Sequence, residues 1–135
     1  MFTQIELQVA DAIELYKGLE AVKKHKGARF AVLVAKNAKE LEKALRKYED
    51  MAKPSEEFLK VSAEAHKLAE AEDAEGIEKL ESENVELIEE RKLQIKALDE
   101  EMKKTAEFSL QTIREDQLPE EISPEEVIPL LPILV

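Results

Sequence analysis

Between Ala28 and Ala52, apolar positions recur in alternating steps of four and three: Phe30, Val34, Asn37, Leu41, Ala44, Tyr48 and Met51. That spacing places them on one side of an α-helix. The stripe is thin and is buried fully only against a partner helix, from this chain or from another subunit. Pro54 disfavours helix at the residue before it, so the segment ends near Ala52. Asn37 interrupts the stripe. A buried Asn there would set register and oligomeric state at a cost in stability, whereas one at the stripe's edge meets water, and the edge reading is favoured.

Composition supports thin stripes. Charged residues make up 38% of the 135, aromatic residues 4%, and there is no Trp. An Ala/Leu/Glu/Lys-dominated chain of this kind suits long helices and coiled coils. The absence of Cys excludes disulfides and thiolate chemistry and suits a reducing compartment. Met1-Phe2-Thr3-Gln4 lacks the features of a signal peptide, and no apolar run nears the roughly 20 residues that span a bilayer. A cytoplasmic protein is therefore expected. The net charge of -11 is uneven: residues 1–52 hold 10 Lys/Arg against 8 Asp/Glu, and residues 53–135 hold 10 against 23. Either the solvated faces simply differ, which is favoured, or opposite fields orient docking.

Ahead of the stripe, Thr3-Gln4-Ile5-Glu6 reads as a capping box, followed by Ile5, Val9, Ala12, Ile13, Tyr16 and Leu19 at helical spacing. A first helix is expected over about residues 4–25, its last turn filled by Lys23, Lys24, His25 and Lys26 and closed by Gly27. It forms an antiparallel hairpin with the second helix. After Pro54, Ser55 caps a further helix to about Ala74, with a break at Gly76. A long helix follows from Ile77 to about Lys104, along Leu80, Asn84, Leu87, Ile88, Arg91, Ile95, Leu98 and Met102. Glu107 to Ile113 alternates with period two and predicts a strand. With no second strand evident, it is expected to lie as a strap or to pair with a neighbouring subunit. Ser123-Pro124-Glu125-Glu126 combines an N-cap Ser, a Pro at the first helical position and a capping-box Glu, so a short helix starts there and stops at Pro129.

The order of these elements resembles a loose group of small, mostly hypothetical bacteriophage proteins. The matching stretches are Ala35-Lys36-Asn37-Ala38-Lys39-Glu40-Leu41-Glu42 and Leu118-Pro119-Glu120-Glu121-Ile122-Ser123-Pro124-Glu125-Glu126. The resemblance implies a phage origin and no catalytic residues. Residues 55–75 depart from it, reading as helix where such proteins carry a polar loop.

Few residues suggest chemistry. His25, set among lysines, is expected to face water at a helix end, and His66 to pair with Glu70 one turn on. One His and one Glu do not make a metal site. Pairs such as Glu89 and Glu90 lie on a solvated helix, without the burial that tunes a catalytic carboxylate. Three isolated glycines exclude a phosphate-binding loop. Lys23, Lys24, Lys26 and Arg29 form one compact basic patch. Its favoured reading is a helix end complemented by cations, and its rival is a contact for phosphates, a nucleotide or an acidic partner surface. Nucleic acid is disfavoured by the acidic balance.

The expected fold is therefore mainly α, over one domain of residues 1–135. It comprises a helical hairpin (1–52), long acidic coiled-coil-like helices (53–105), and an extended segment, short helix and apolar tail (106–135). Packing or self-association is assigned to Phe30, Val34, Asn37, Leu41, Tyr48, Leu80, Ile88, Ile95 and Met102. The tail residues Ile128, Leu130, Leu131, Ile133 and Leu134 either fold back or dock on another molecule, with a neighbouring subunit favoured. The functional expectation is a non-enzymatic, phage-encoded helical protein that oligomerises as a structural, assembly or accessory factor, without cofactor or membrane. The alternative is an anti-defence protein that sequesters a host effector or a signalling nucleotide between subunits.

Overall fold

A computed structural model describes residues 2–135. The fold is mainly α, with helices α1 (Val9–Ala21), α2 (Ala28–Ala52), α3 (Glu56–Glu70), α4 (Ala74–Glu83), α5 (Val85–Lys103) and α6 (Pro124–Val127). Strands β1 (Thr3–Gln8) and β2 (Thr105–Leu110) form a two-stranded sheet, and a 3₁₀ helix, Ile128–Ile133, follows α6. The chain gathers into two compact units. One is the chain up to Lys47 together with Glu101–Val135, here the sheet unit. The other is Tyr48–Glu100, the acidic unit.

In the sheet unit, β1 and β2 run antiparallel, Thr3 opposite Leu110 and Gln8 opposite Thr105. Thr3 therefore begins a strand and not the helix expected from a capping box. Ile5 and Leu7 alternate with Gln4, Glu6 and Gln8, a period-two pattern hidden by helical spacings that share Ile5 and Val9. β2 accordingly finds its partner within the chain, and no neighbouring subunit is needed to pair it. The core is built from three stripes and the tail. α1 gives Val9, Ala12, Leu15 and Leu19, with Val22 beyond its end; α2 gives Phe30, Leu33, Val34, Ala38, Leu41 and Leu45; β2 gives Phe108 and Leu110.

Asn37 lies in the middle of this apolar layer and is fully buried. Its Nδ2 donates to the Gln111 carbonyl at 2.8 Å, and its Oδ1 accepts from the Gln111 N–H at 2.7 Å. The side-chain amide thus stands in for a peptide group, pairing the residue that follows β2 just as another strand would. The edge-of-stripe reading is overturned: a buried amide persists here because both of its polar ends are bonded.

The apolar tail is held within the chain. Ile113 N–H donates to the Ile133 carbonyl at 2.7 Å, and Val135 N–H to the Ile113 carbonyl at 2.9 Å. Leu130 and Ile133 are buried, Leu134 is half-buried, and Ile128 and Leu131 face outward. This split follows from 3₁₀ geometry, in which residues three apart eclipse one another. The expectation of docking on a neighbour is corrected for the inward pair. Pro129 sits so close to α1 that a Cβ on Gly18 would lie 2.5 Å from the Pro129 Cβ.

The acidic unit breaks elsewhere than expected. α3 ends at residues 71–73, where Glu72 adopts φ 57°, Glu72 N–H donates to the Ala69 carbonyl and Asp73 N–H to the Leu68 carbonyl. That is a Schellman termination, and Gly76 falls inside the first turn of α4. The long helix expected from Ile77 is also divided, at Asn84, whose side chain donates to the Leu80 carbonyl at 2.8 Å.

Two substitutions test the seams of the sheet unit. Gly18→Ala should lower stability by about 1–3 kcal/mol in urea denaturation, through overpacking against Pro129; an unchanged midpoint would mean the tail is not seated on α1. Asn37→Leu keeps the branched shape of the side chain but orphans two buried backbone groups of Gln111, each costing about 1–3 kcal/mol. A neutral result would show that this segment does not depend on the side-chain bridge.

Candidate functional site

The basic patch of the sequence lies between α1 and α2. α1 ends at Ala21, so Lys23, Lys24, His25 and Lys26 occupy a connector and not a last helical turn. Gly27 does not close α1 either. With φ 126°, a backbone angle that favours glycine, it opens α2, and its carbonyl accepts from Ala31 N–H at 2.9 Å. This turn directs His25 inward, contrary to its expected exposure: its side chain is 9% exposed, with Nε2 2.8 Å from Glu126 Oε2.

Glu126 is the hub of the connector. The capping box read from the sequence is present, with Glu126 Oε1 accepting from both the backbone N–H and the hydroxyl of Ser123, each at 3.1 Å. Its other oxygen meets His25 and, at 3.7 Å, Lys24 Nζ. The Ser123 backbone donor, then His25, then the Ser123 hydroxyl hold the carboxyl ionised, lowering its pKa from 4.5 to about 2. Because an ionised carboxylate only accepts, the proton of the short bond lies on Nε2.

Ser, His and Glu side chains in one place invite comparison with a hydrolytic triad. The order of contacts here is Ser123–Glu126–His25, with the carboxylate in the middle. Nucleophile activation needs the imidazole in the middle, touching the hydroxyl. A carboxylate with a pKa of about 2 is also a weak proton acceptor at neutral pH. The arrangement is suited to clasping α6 to the α1–α2 connector.

The four cations of the patch separate. Lys23 pairs with Glu20 at 2.7 Å and Lys24 with Glu126. Lys26 and Arg29 instead line an open groove with Arg114, which the sequence reading had not included; Asp116 and Glu120 share the same groove. Arg114 Nε is 3.1 Å from Asp116 Oδ1. A groove with three cations and two carboxylates has little excess field for an anion. His66 pairs with Glu70 at 3.1 Å, as expected, with both side chains solvated.

The assigned packing residues fall into both units. Phe30, Val34, Asn37 and Leu41 are buried and Met102 half-buried in the sheet unit. In the acidic unit Tyr48 and Leu80 are buried, Ile88 is half-buried and Ile95 is exposed. Polar contacts substitute for a core there. Arg91 donates to the Ala52 carbonyl at 3.0 Å, and Gln94 Nε2 to the Met51 and Lys53 carbonyls at 2.7 Å each. These side chains bond carbonyls at the end of α2 and just past it, which a helix end leaves unpaired. Arg91 also lies over the Phe58 ring, 5.8 Å from its centre.

A second open groove in the acidic unit is lined by Glu57, Lys60 and Val61 of α3, Ser82 and Glu83 of α4, Asn84, and Val85, Glu86, Leu87 and Glu90 of α5. None of these except Asn84 and Leu87 belonged to a stripe read from the sequence. Asn84, where α4 gives way to α5, lies in this lining, and helical periodicity read through that residue does not reveal the break. Among the described residues, no group of three or more His, Asp or Glu is placed to hold a metal ion, and no helix is long and apolar enough to cross a membrane.

The clasp has a pH signature. Glu126 ionises more readily when folded, so its contribution is fully present above about pH 4.5 and is lost as pH falls through about 2. Glu126→Gln removes that linkage. The stability difference between the two proteins should therefore shrink steadily across that window in denaturation series, and a pH-independent difference would refute the clasp. No protein-family model matches this chain, and neither a curated protein nor a solved structure matches it significantly.

Proposed function

We propose that this chain is a non-enzymatic interaction protein. A folded sheet unit carries an acidic helical unit whose surface is completed by a macromolecular partner. The observation that supports this most is the distribution of apolar side chains. Of the buried apolar residues only Tyr48 and Leu80 belong to the acidic unit, while Leu59, Val85, Leu93 and Ile95 in the same unit are 43–66% exposed. A unit with so little core is expected to open locally at low free energy and to gain order when its apolar surface is covered. The resemblance to small phage proteins suggests an accessory or assembly setting for this binding. Hydrogen exchange tests the reading: amides of α3 to α5 should exchange well before those of α1 and β2, and slow markedly in a complex captured from cells. Uniform protection in the free chain would count against it.

Self-association is a second reading, with its own support. Ile128, Leu131 and Val135, on the outer side of the tail, are 63%, 55% and 66% exposed. Two other grounds for it in the sequence, an unpaired strand and a free tail, are used up inside the chain. If a second copy covers the remaining surface, Ile128→Lys with Leu131→Lys should turn an oligomer into a monomer in sedimentation while leaving the melting temperature nearly unchanged. A wild-type chain monomeric at micromolar concentration would remove this reading. The nucleotide-sequestration alternative is weakened by the carboxylates that engage Lys23 and Lys24 and by those that share the groove of Lys26 and Arg29.

A further inference from the structure

The groove of the acidic unit combines apolar and carboxylate side chains in one lining. Its apolar residues come from two elements, Val61 on α3 and Val85 with Leu87 on α5. Val85, the first residue of α5, is 54% exposed. Glu57, Glu83, Glu86 and Glu90 stand around these residues, with Lys60 the one cation in the lining. No ion pair joins any of the four carboxylates to a cation among the described residues, whereas the exposed Glu89 nearby is paired with Lys92.

The wider field has the same sign. Residues 48–100 carry 7 Lys/Arg against 17 Asp/Glu, a net charge of -10, leaving -1 of the chain's -11 for the sheet unit. Two such units facing each other would repel, which disfavours a second copy of this surface as the occupant. Nucleic acid is disfavoured on the same ground. A cationic segment would instead be drawn in by the field and held by whatever aliphatic side chain it places on Val61, Val85 and Leu87.

We propose that the groove between α3 and the α4–α5 junction docks a basic, amphipathic polypeptide segment of a partner protein, with aliphatic side chains on the valine–leucine floor and Lys or Arg facing the four glutamates. The proposal rests on the interaction reading above and specifies its partner by charge and shape. Asn84 lines the groove at the break between α4 and α5, its amide bonded to the Leu80 carbonyl of α4 at 2.8 Å.

The test uses the full chain and a fluorescent, helical Leu/Lys peptide of about 18 residues, with its Leu/Glu counterpart as control. Anisotropy should show binding of the basic peptide only, weakening as salt rises from about 50 to 500 mM. Glu57→Gln, Glu83→Gln, Glu86→Gln and Glu90→Gln together should weaken binding about tenfold or more at low salt. A charge-matched control, Glu49→Gln, Glu64→Gln, Glu75→Gln and Glu78→Gln, should change it less than about threefold. Val85→Asn should weaken the binding that survives at high salt, where the apolar floor carries it. Circular dichroism melts confirm that each variant folds. Equal losses from the two quadruple variants would reduce the effect to diffuse attraction and overturn the groove, as would binding of the acidic peptide. A cellular partner still captured by the groove variant would overturn the groove while leaving the interaction reading intact.

Discussion

The side-chain amide of Asn37 fastens three parts of the sheet unit at one point. It lies on α2, it pairs with the backbone of Gln111 just past β2, and two residues further on Ile113 receives the C-terminal tail. Inside an apolar layer these hydrogen bonds have no competition from water, so the geometry that satisfies them is strongly preferred over a register shifted by one residue. Apolar side chains alone would not discriminate as well. Leu41 or Phe30 gains nearly as much against any apolar neighbour, whereas an amide left half-bonded in this layer is costly.

With that point set, the remaining contacts follow in sequence. β2 ends where Asn37 meets it, the chain turns to Ile113, and the tail returns across α1. Gly18 leaves room for Pro129, and Glu126 arrives beside His25. The clasp then ties α6 to the connector between α1 and α2. Its ionic character suits a site only partly screened from water, where Ser123 and His25 between them bond both carboxylate oxygens.

The acidic unit is organised on a different basis. Its helices bury two large apolar side chains and rely on helix-end chemistry: a Ser55 cap on α3, an Asp73 cap on α4, and Arg91 with Gln94 on the last carbonyls of α2. Caps fix where helices start and stop but contribute about a kilocalorie per mole each, far less than a packed core. Leu59, Val85, Leu93 and Ile95 accordingly stay exposed in this unit.

Helical content, the extent of α2, the Ser55 start and the Ser123 capping box were legible in the sequence, because each depends on neighbours within one turn. The strand at Glu107 was legible in its alternation, but its partner was not. Thr3–Gln8 also matches a helical spacing, and only the ladder with β2, about a hundred residues away, decides between the two. The inward turn of His25, the bonding of Asn37 and the return of the tail were decided by tertiary structure for the same reason. Polar side chains with long-range partners leave no periodic trace. The acidic groove lay between: its glutamates were visible as charge, but the break at Asn84 beside them depends on how the chain turns there. Local hydrogen bonding wrote most of the helices into the sequence, and burial, which requires the whole chain, determined which polar groups had to find each other.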